Sequence, residues 1–454
     1  MEKQQGTLKK VLHTRDLVAL AFGAAIGWAW VVLSGEWLQM GGTLGAILGF
    51  VIGGVMVFFV GMTYSELCPA MPRCGGEHIF TLRALGFNWS FVCSWALTLS
   101  YLGVVAFEAC SLPSVLGHIL PQMYTGYAYS VAGMDIYIPF IVVGVLGAIV
   151  LTVFNYIGIQ FASWLQQALS LVILAVGLLL VVAAFTAGDV SNAQPLLSDG
   201  GNGILAVAVI TPFFMVGFDV IPQATEEADI APKRVARLML FSIVLAAAWY
   251  CLILLCVSVL MPHEGILSAD LCTADALSRA WHGNPMARTI VVFGGMCGIL
   301  TSWNAFLAAG SRVLYAMAQS RMLPAWFGRL HPKYNTPSNA VLFIGGFSAL
   351  APFLGKQLLS WISNAASLTT VIAYCLVAVS FLVLRKKEPD MPRPYMVPGG
   401  KAIGIIAVAL TLGMMMLYLP GMPSGLGKAE WIILALWTVI GVPMFLAVRR
   451  KKSS

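Results

Sequence analysis

Two carboxylates lie inside long apolar stretches of this 454-residue sequence. Asp219 follows Gly217 in the run ITPFFMVGFDVIPQATEEA, and Glu108 lies in VVAFEACSL. A carboxyl group in apolar surroundings is easily protonated, and an ionisable side chain placed there usually serves a function. Both residues are therefore candidates for carrying a proton. Glu108 has an alternative role, which is to pair with a cationic ligand.

Small residues and prolines interrupt two of the apolar stretches. Gly23 and Gly27 are four residues apart in AFGAAIGWAW, and Pro212, Gly217 and Pro222 break up the later run. A GxxxG spacing alone lets two membrane helices pack closely, and a proline alone kinks a helix. Interruptions in two separate runs instead indicate unwound backbone that faces protein or a water-filled cavity. This pattern predicts a ligand site near the middle of a membrane.

A third group of polar residues lies in the stretch GILTSWNAF. Gly298, Thr301 and Ser302 have the i, i+3, i+4 spacing that brings a carbonyl and two hydroxyls to one face of a helix. Oxygen ligands of this kind suit sodium, so these residues form a possible sodium site. The alternative is that both hydroxyls donate back to carbonyls of their own helix.

The composition indicates which elements must position these residues. Hydrophobic residues make up 59% of the chain and charged residues 10%, which excludes a water-soluble globular domain. Apolar runs of about 20 residues, enough to cross a bilayer as helix, predict an all-α polytopic membrane protein with twelve transmembrane helices in a single domain, 1–454. The predicted spans are 17–40, 44–67, 89–117, 136–156, 161–186, 203–225, 238–261, 286–317, 339–355, 358–384, 402–419 and 429–448.

The basic residues predict the orientation of these spans. Most of the 26 Lys and Arg residues fall on one side of a twelve-span scheme, and the exceptions are Arg279, Arg288, Lys356 and Lys428. Because cytoplasmic loops are rich in Lys and Arg, we expect a multi-pass protein of the cytoplasmic (inner) membrane with both termini in the cytoplasm. The start, MEKQQGTLKK, has no pattern of a removable signal peptide. The net charge of +7 therefore reports orientation in lipid and requires no nucleic-acid partner.

The nine cysteines and six histidines do not form a recognisable pattern. Most cysteines lie in apolar spans, with Cys272 alone in a predicted outer loop, so we expect no outer disulfide. The histidines are scattered over loops and span ends, without the spacing of a metal site. We predict no metal centre, no catalytic residues and no cofactor, with Na⁺ or H⁺ as a possible coupling ion.

The spans divide into two sets of five, followed by two further helices. The first set covers 17–186, the second covers 203–384, and the two added helices cover 402–448. Since each set has an odd number of spans, the second would be inverted relative to the first, as in many secondary transporters. The interrupted spans 1 and 6 then stand first in their sets.

Five segments, in order, resemble motifs of the amino acid-polyamine-organocation (APC) superfamily, and the likeness covers nearly the whole chain. GAAIGWAWV is similar to the motif G-x-x-I-G-S-G of that superfamily, and GFDVIPQATEEADIAPKRVAR resembles its sixth span. The other three are YSELCPAMPRCGGEHIFTLRALG, SRVLYAMAQSRMLPAWFGRLHPKYNTP and RPYMVPGG. The sequence is thus similar to a bacterial-type amino acid permease. The resemblance implies the LeuT-like fold, with helices 1 and 6 unwound at the middle.

The resemblance also implies positions for a bound amino acid. The amides of Trp28 and Ala29 would face its carboxylate, and carbonyls near Ala25, Phe213 and Val216 would face its ammonium group. Phe213 would close over the substrate, and Asp219 would be a gating or coupling carboxylate. The implied substrate site comprises Ala25, Gly27, Trp28, Ala29, Phe213, Val216, Gly217 and Phe218, with Glu108 and Asp219 in coupling or gating.

This sequence departs from the motif at Trp28-Ala29, which replaces Ser-Gly. An indole there reduces or redistributes space, so we expect a small substrate or a changed pose. At the inner end of span 6, we expect the pair Glu226 and Glu227 to form ion pairs with the basic residues that follow it, which are Lys233, Arg234 and Arg237.

The predicted function is secondary active transport of a small amino acid by alternating access, coupled to protons or sodium. No GxxxxGK[ST] loop for ATP is present, and span 5 lacks the lysine that some relatives use as a built-in cation. The alternatives are a permease for a polyamine or another organic amine, and an amino acid exchanger. A membrane enzyme would need a nucleophile with its base, or a metal triad, within the spans, and we find neither in the sequence. The expected partners are a small-molecule substrate and the lipid bilayer, and the sequence does not indicate an oligomeric state.

Overall fold

The computed structural model describes residues 8–131, 133–422 and 425–453, without the side chains of Lys356 and of 447–453. The predicted cytoplasmic start, 1–7, and the side chains of the final basic cluster, Arg449 to Lys452, lie outside the described residues. The described chain is mostly helical. Its α-helices are α1 (Thr14–Ala25), α2 (Ala29–Val32), α3 (Ser34–Ala70), α4 (Glu77–Leu85), α5 (Phe87–Gly117), α6 (Ile138–Ile157), α7 (Ile159–Ala187), α8 (Gly200–Phe214), α9 (Val220–Ala224), α10 (Pro232–Leu260), α11 (His263–Ser268), α12 (Cys272–Ala280), α13 (Pro285–Gln319), α14 (Ser338–Leu350), α15 (Gly355–Lys387), α16 (Gly400–Leu417) and α17 (Lys428–Ser453).

Within the described residues, nine helices are long and apolar enough to cross a membrane: α3, α5, α6, α7, α10, α13, α15, α16 and α17. The helices α8 and α14 are apolar but shorter. Large apolar side chains on the outer helices, such as Leu171 and Phe185 on α7, are mostly exposed. Exposed apolar surface on this scale is what a lipid-facing protein presents. The fold is therefore a polytopic helical bundle, and the count of twelve spans stays a prediction.

The first interruption falls where the two glycines predicted it. The helix α1 ends at Ala25, Ile26 leaves helical geometry (φ −102°, ψ 79°), and α2 begins at Ala29. The chain then continues into α3, which bends at Gly42 (φ 69°, ψ 178°). This bend lies between the predicted first and second spans. The helix α3 therefore contains the end of the first predicted span and the whole of the second.

The second interruption lies between α8 and α9, at Met215 to Asp219. Gly217 has a φ of 150°, a conformation that favours glycine. A Cβ on Gly217 would lie only 2.6 Å from the amide nitrogen of Ala25. The two interruptions therefore touch, and glycine is required for that approach.

Long central helices surround this contact. Side chains of α5 and α13 are largely buried, and the two helices pack against each other. The helix α15 also packs against α5, while α8 and α10 both pack against α3. The contact between the interruptions thus lies in the interior of the bundle.

The connecting segments hold structure that the sequence did not predict. A β-hairpin between α5 and α6 consists of β1 (Tyr127–Val131) and β2 (Met134–Tyr137), which pair antiparallel with Val131 opposite Met134. This hairpin departs from the all-α prediction, because a span search passes over short alternating segments. The helix α4 lies between α3 and α5 along the chain, and α11 and α12 lie between α10 and α13.

Ion pairs connect helices at the end of the bundle that is rich in basic residues. Arg385 contacts Glu66 at 2.5 Å, and Arg393 contacts the same carboxylate at 3.1 Å. Arg83 of α4 contacts Glu388, just after α15, at 2.5 Å. Hydrogen bonds from Arg83 hold the pKa of the Glu388 carboxyl below its ordinary value. These contacts tie α4 and α3 to α15.

The predicted partners of the Glu226 and Glu227 pair are wrong. Glu227 forms a buried ion pair with Arg312 of α13, whose Nε lies 2.6 Å from Oε2. Glu226 accepts hydrogen bonds from the backbone amides of Cys74 and Leu8. After α9 the Glu227 carboxylate faces α13 and the Glu226 carboxylate faces the segments before α1 and between α3 and α4, so sequence proximity to Lys233, Arg234 and Arg237 did not decide the pairing.

Candidate functional site

A cavity of about 430 Å³ lies against the two interruptions. It extends from Ala25 to His118 at the end of α5, between α5, α13 and α15. Six of the eight residues of the predicted substrate site line it: Ala25, Gly27, Trp28, Ala29, Phe213 and Val216. The predicted Glu108 and Ser302 line it as well. The structure therefore brings most of the sequence-predicted residues to one place.

Two helices have ends at this cavity: α1 ends at Ala25 and α2 begins at Ala29. The first N–H groups of a helix have no partner within it, so the start of α2 at Ala29 leaves donors free. The end of α1 leaves carbonyls free in the same way, although the Ala25 carbonyl already accepts a hydrogen bond from the Tyr250 hydroxyl (3.0 Å). Free donors favour an anion and free carbonyls favour a cation.

Glu108 brings a carboxylate to the same cavity. Its side chain is 6% exposed, and its Oε2 has no hydrogen-bond partner among the described residues. Its Oε1 lies 3.3 Å from the place where a Cβ on Gly27 would be. Ser302 adjoins Glu108 from α13. Among the described side chains that line the cavity there is no Lys or Arg to pair with Glu108.

Trp28 occupies a space that a glycine provides. Its indole packs against Gly295 of α13, where a Cβ would collide with the six-membered ring. The ring is half-buried and forms part of the cavity wall. The paired glycines in FGGMCG were the signal in the sequence for this packing, and the sequence analysis did not use them.

Gly217, Phe218 and Asp219 lie below the cavity and do not line it. Asp219 is fully buried, and its Oδ2 accepts a hydrogen bond from the Tyr101 hydroxyl at 2.9 Å. Its Oδ1 accepts from the backbone amide of Gly217 at 2.9 Å. The ring of Phe218 packs against Tyr64 and Tyr374. These three residues thus connect the cavity wall to a deeper polar region.

That deeper region contains a carboxylate that the sequence analysis missed. Glu77, the first residue of α4, is fully buried and accepts a hydrogen bond from the side-chain amide of Gln223. The hydroxyls of Tyr64 and Tyr374 point into the same region without a hydrogen-bond partner at bonding geometry among the described residues. The only signal was a charge directly after two glycines, in CGGEH, which a search of apolar runs does not detect.

The possible sodium residues have other contacts in this structure. The Thr301 hydroxyl donates to the Gly298 carbonyl at 2.9 Å, the alternative that the spacing allowed. Gly298 packs against the carbonyl of Gly27, and Ser302 faces the cavity. Beside them, the side chain of Gln166 lies against Gly23 and accepts a hydrogen bond from Asn304. The sodium site stays a prediction.

Comparisons with known proteins find similar sequences over most of the chain. The sequence profile of a family described as amino acid permease matches residues 12–443. The chain is 27% identical to the branched-chain amino acid permease BcaP of Bacillus subtilis (strain 168), over 98% of this chain and 94% of that one. It is 24% identical to the methylthioribose transporter of the same organism, over 100% and 96%. It is 29% identical to the cationic amino acid transporter 4 of Mus musculus, over 85% and 61%.

Proposed function

The chain belongs to the amino acid permease family, and we propose on that basis that it is a secondary transporter that carries a small amino acid across the cytoplasmic membrane by alternating access. The proposed architecture has twelve spans in two inverted five-helix repeats plus two helices, with both termini in the cytoplasm. The observation that carries this proposal is the cavity at the two interrupted helices, because it joins free backbone ends to an unpaired carboxylate.

The proposed binding mode places the two charges of an amino acid on different elements. The free amides of Trp28 and Ala29 at the start of α2 bind the carboxylate. Glu108, together with the carbonyl of Val216, binds the ammonium group. The attraction between the Glu108 carboxylate and the ammonium group is stronger in a cavity that excludes water. No described Lys or Arg of the cavity wall competes for that carboxylate. This arrangement supports a substrate that carries both charges close together.

The remaining wall supports an apolar substrate side chain. Val32, Leu33, Val104, Phe107 and Phe306 line the cavity around Glu108 and Trp28. Branched aliphatic side chains fit such a wall, and a relative over nearly the whole chain is named for branched-chain amino acids. We therefore propose a branched-chain amino acid such as L-leucine as the substrate class.

A second candidate is a cationic amino acid or an organic amine. The wall formed by α15 is polar, with Ser363, Asn364, Ser367 and Thr370. Hydroxyl and amide oxygens accept hydrogen bonds from a second amino group, and another relative is named a cationic amino acid transporter. Glu108 would then bind the first or the second amino group.

Uptake of radiolabelled L-leucine into proteoliposomes that contain the purified protein tests these assignments. Competitors are unlabelled L-leucine, isoamylamine, which lacks the carboxylate, and 4-methylpentanoate, which lacks the amino group. We expect each truncated compound to compete at least about tenfold more weakly, because each loses a hydrogen bond to a charged group worth about 1.5–3 kcal/mol. Equal competition by isoamylamine, or stronger competition by L-lysine and cadaverine, would favour the second candidate. Non-saturable flux would contradict carrier transport altogether.

A further inference from the structure

We propose that Glu77 and Asp219 together bind one proton beneath the cavity, and that this proton moves with the substrate. This inference rests on the proposed transport function. It adds a proton site that includes Glu77, in a helix outside the long spans, and it places the proton on that residue.

The two carboxylates lie in one enclosed region. Both are fully buried. Glu77 Oε2 accepts a hydrogen bond from the side chain of Gln223, four residues after Asp219. Tyr101, which donates to Asp219, and Tyr64 each face both carboxylates. The helices α3, α4, α5, α9 and α15 therefore enclose a shared acidic site.

No described cationic side chain neutralises this site. The other ionisable groups that face it are Tyr64, Tyr101, Tyr374, Cys68 and Cys93, all uncharged at neutral pH.

Arg73, four residues before Glu77, is exposed, and the other basic residues nearby in the chain or in the adjacent helices have partners elsewhere. The ring nitrogens of His78, which follows Glu77, contact the hydroxyls of Ser94 and Ser320. Arg312 pairs with Glu227, and Arg385 pairs with Glu66. The described structure thus leaves the Glu77 and Asp219 pair without a counter-ion.

Two ionised carboxylates in such a place would be very unstable. Removing a single charge from water costs several kcal/mol even after relaxation, and two like charges in one site repel, so that one of them takes up a proton. One carboxyl group is therefore protonated, and the pair carries a single negative charge in place of two.

The hydrogen bonds assign the proton to Glu77. Both oxygens of Asp219 already accept hydrogen bonds, one from Tyr101 and one from the backbone of Gly217, and donors of this kind stabilise the ionised form. Glu77 Oε1 has no donor at bonding geometry among the described residues, and the Tyr64 hydroxyl, which adjoins Glu77, also has no partner at bonding geometry there. Because Glu77 has fewer donors than Asp219, its ionised form is less stabilised, and a proton on Oε1 can be donated to the Tyr64 oxygen.

The site is mechanically connected to the substrate cavity. Asp219 holds the amide of Gly217, and Gly217 packs directly against Ala25, which lines the cavity. A rearrangement of the two interruptions on substrate release therefore displaces Asp219. Opening of the end that carries α4 would bring water to Glu77, and the proton would then leave on that side together with the substrate.

Infrared spectroscopy tests the proton without any substrate. A protonated buried carboxyl group has a C=O band separate from that of a carboxylate, and we expect this band in the purified wild-type protein at neutral pH. Glu77→Gln should remove the part of the band that belongs to this site. Glu108→Gln is the matched control, because it removes another buried carboxyl group and should leave that part unchanged. If Glu77→Gln does not fold, Tyr64→Phe should shift the same band by removing its acceptor. A band that neither variant alters overturns the proposal.

Transport tests the coupling separately. In wild-type proteoliposomes with the membrane potential clamped, one proton per substrate allows about tenfold accumulation for each unit of pH gradient, since one unit is worth 1.36 kcal/mol. We expect Glu77→Gln to lose this accumulation and to keep exchange of labelled for unlabelled substrate, while Glu36→Gln on the exposed surface keeps both. Accumulation by Glu77→Gln, accumulation driven only by a sodium gradient, or loss of exchange as well would overturn the proposal. Absence of any uptake by the wild type would refute the transport function while the infrared result stands by itself.

Discussion

At the scale of single residues, Trp28 limits the size of the cavity. Its indole stands at the interruption of the first helix, and it is accommodated because Gly295 has no side chain. Replacing the indole by a smaller group opens space next to the proposed carboxylate site without removing a backbone donor. We therefore expect Trp28 to limit the size of the substrate without taking part in recognition of its two charges.

Trp28→Ser should shift the selectivity of uptake toward larger amino acids. The removed ring leaves room for an aromatic substrate side chain, so L-phenylalanine should compete better relative to L-leucine, by about tenfold if one added ring contact contributes about 1.4 kcal/mol. Competition assays across an amino-acid panel measure this shift. Trp164→Ser on the exposed face of α7 is the control, and an unchanged ranking in Trp28→Ser would contradict the assignment.

Glu108→Gln should weaken recognition of the ammonium group. Loss of a charged hydrogen-bond partner worth about 1.5–3 kcal/mol predicts roughly 10- to 100-fold weaker binding of L-leucine. The ability to distinguish L-leucine from 4-methylpentanoate should fall with it, and this second readout separates recognition from folding. Glu36→Gln, which alters an exposed carboxylate on α3, should change neither quantity. If Glu108→Gln still discriminates as the wild type does, Glu108 does not bind the amino group.

At the scale of elements, the site depends on how closely the interrupted helices approach α13. A Cβ on Gly298 would collide with the carbonyl oxygen of Gly27, and one on Gly217 would press against Ala25. Glycine at these positions lets backbone contact backbone. The spacing of the cavity wall is therefore set by three helices together.

Gly298→Ala should impair transport although it adds only a methyl group. Overpacking in a tightly packed interior costs about 1–3 kcal/mol, and here the strain falls on the first interruption. We expect a lower thermal unfolding midpoint and weaker L-leucine uptake. Gly346→Ala on α14, where a Cβ would meet nothing within 4 Å, should behave as the wild type. Equal behaviour of the two variants would show that the close approach is not needed.

These elements also show what a sequence can predict about such a protein. The positions of the interruptions followed from Gly27, Gly217 and the prolines, because broken helical hydrogen bonds in lipid need special residues. The place of Glu77 did not follow, since its burial arises only when α4 folds back between long helices. The predicted partners of Glu227 were wrong for a similar reason: Arg312 is distant in sequence and comes close to Glu227 only in the folded chain.

At the scale of the whole molecule, the structure is closed on the side that carries most of the basic residues. The cavity extends from the interruptions toward His118, whereas the opposite direction leads to buried side chains and to the ion pair of Arg312 with Glu227. That pair is 2% and 4% exposed at its two side chains. It joins α13 to the segment after α9, so we expect any opening on this side to require separation of the two charges.

Glu227→Gln should favour opening on this side. The substitution leaves the Arg312 charge buried without its carboxylate, and breaking a buried pair in this way costs about 3–5 kcal/mol. Cys74 reports the opening, because its thiol is buried and lies 3.7 Å from the Arg312 carbonyl. We expect faster alkylation of Cys74 by a membrane-permeant maleimide, quantified by mass spectrometry of the Cys74 peptide.

The exposed ion pair between Arg83 and Glu388 provides the comparison for this experiment. An exposed pair contributes at most about 1 kcal/mol, so Glu388→Gln should leave the alkylation rate of Cys74 nearly unchanged. The double variant Glu227→Gln with Arg312→Met removes both buried charges and should restore slow alkylation, because a buried pair replaced by groups of similar volume is often tolerated. Rapid alkylation in the double variant would mean that packing around Arg312, and not the pairing of charges, keeps this side closed. An alkylation rate in Glu227→Gln equal to that of the wild type would mean that the pair does not control opening.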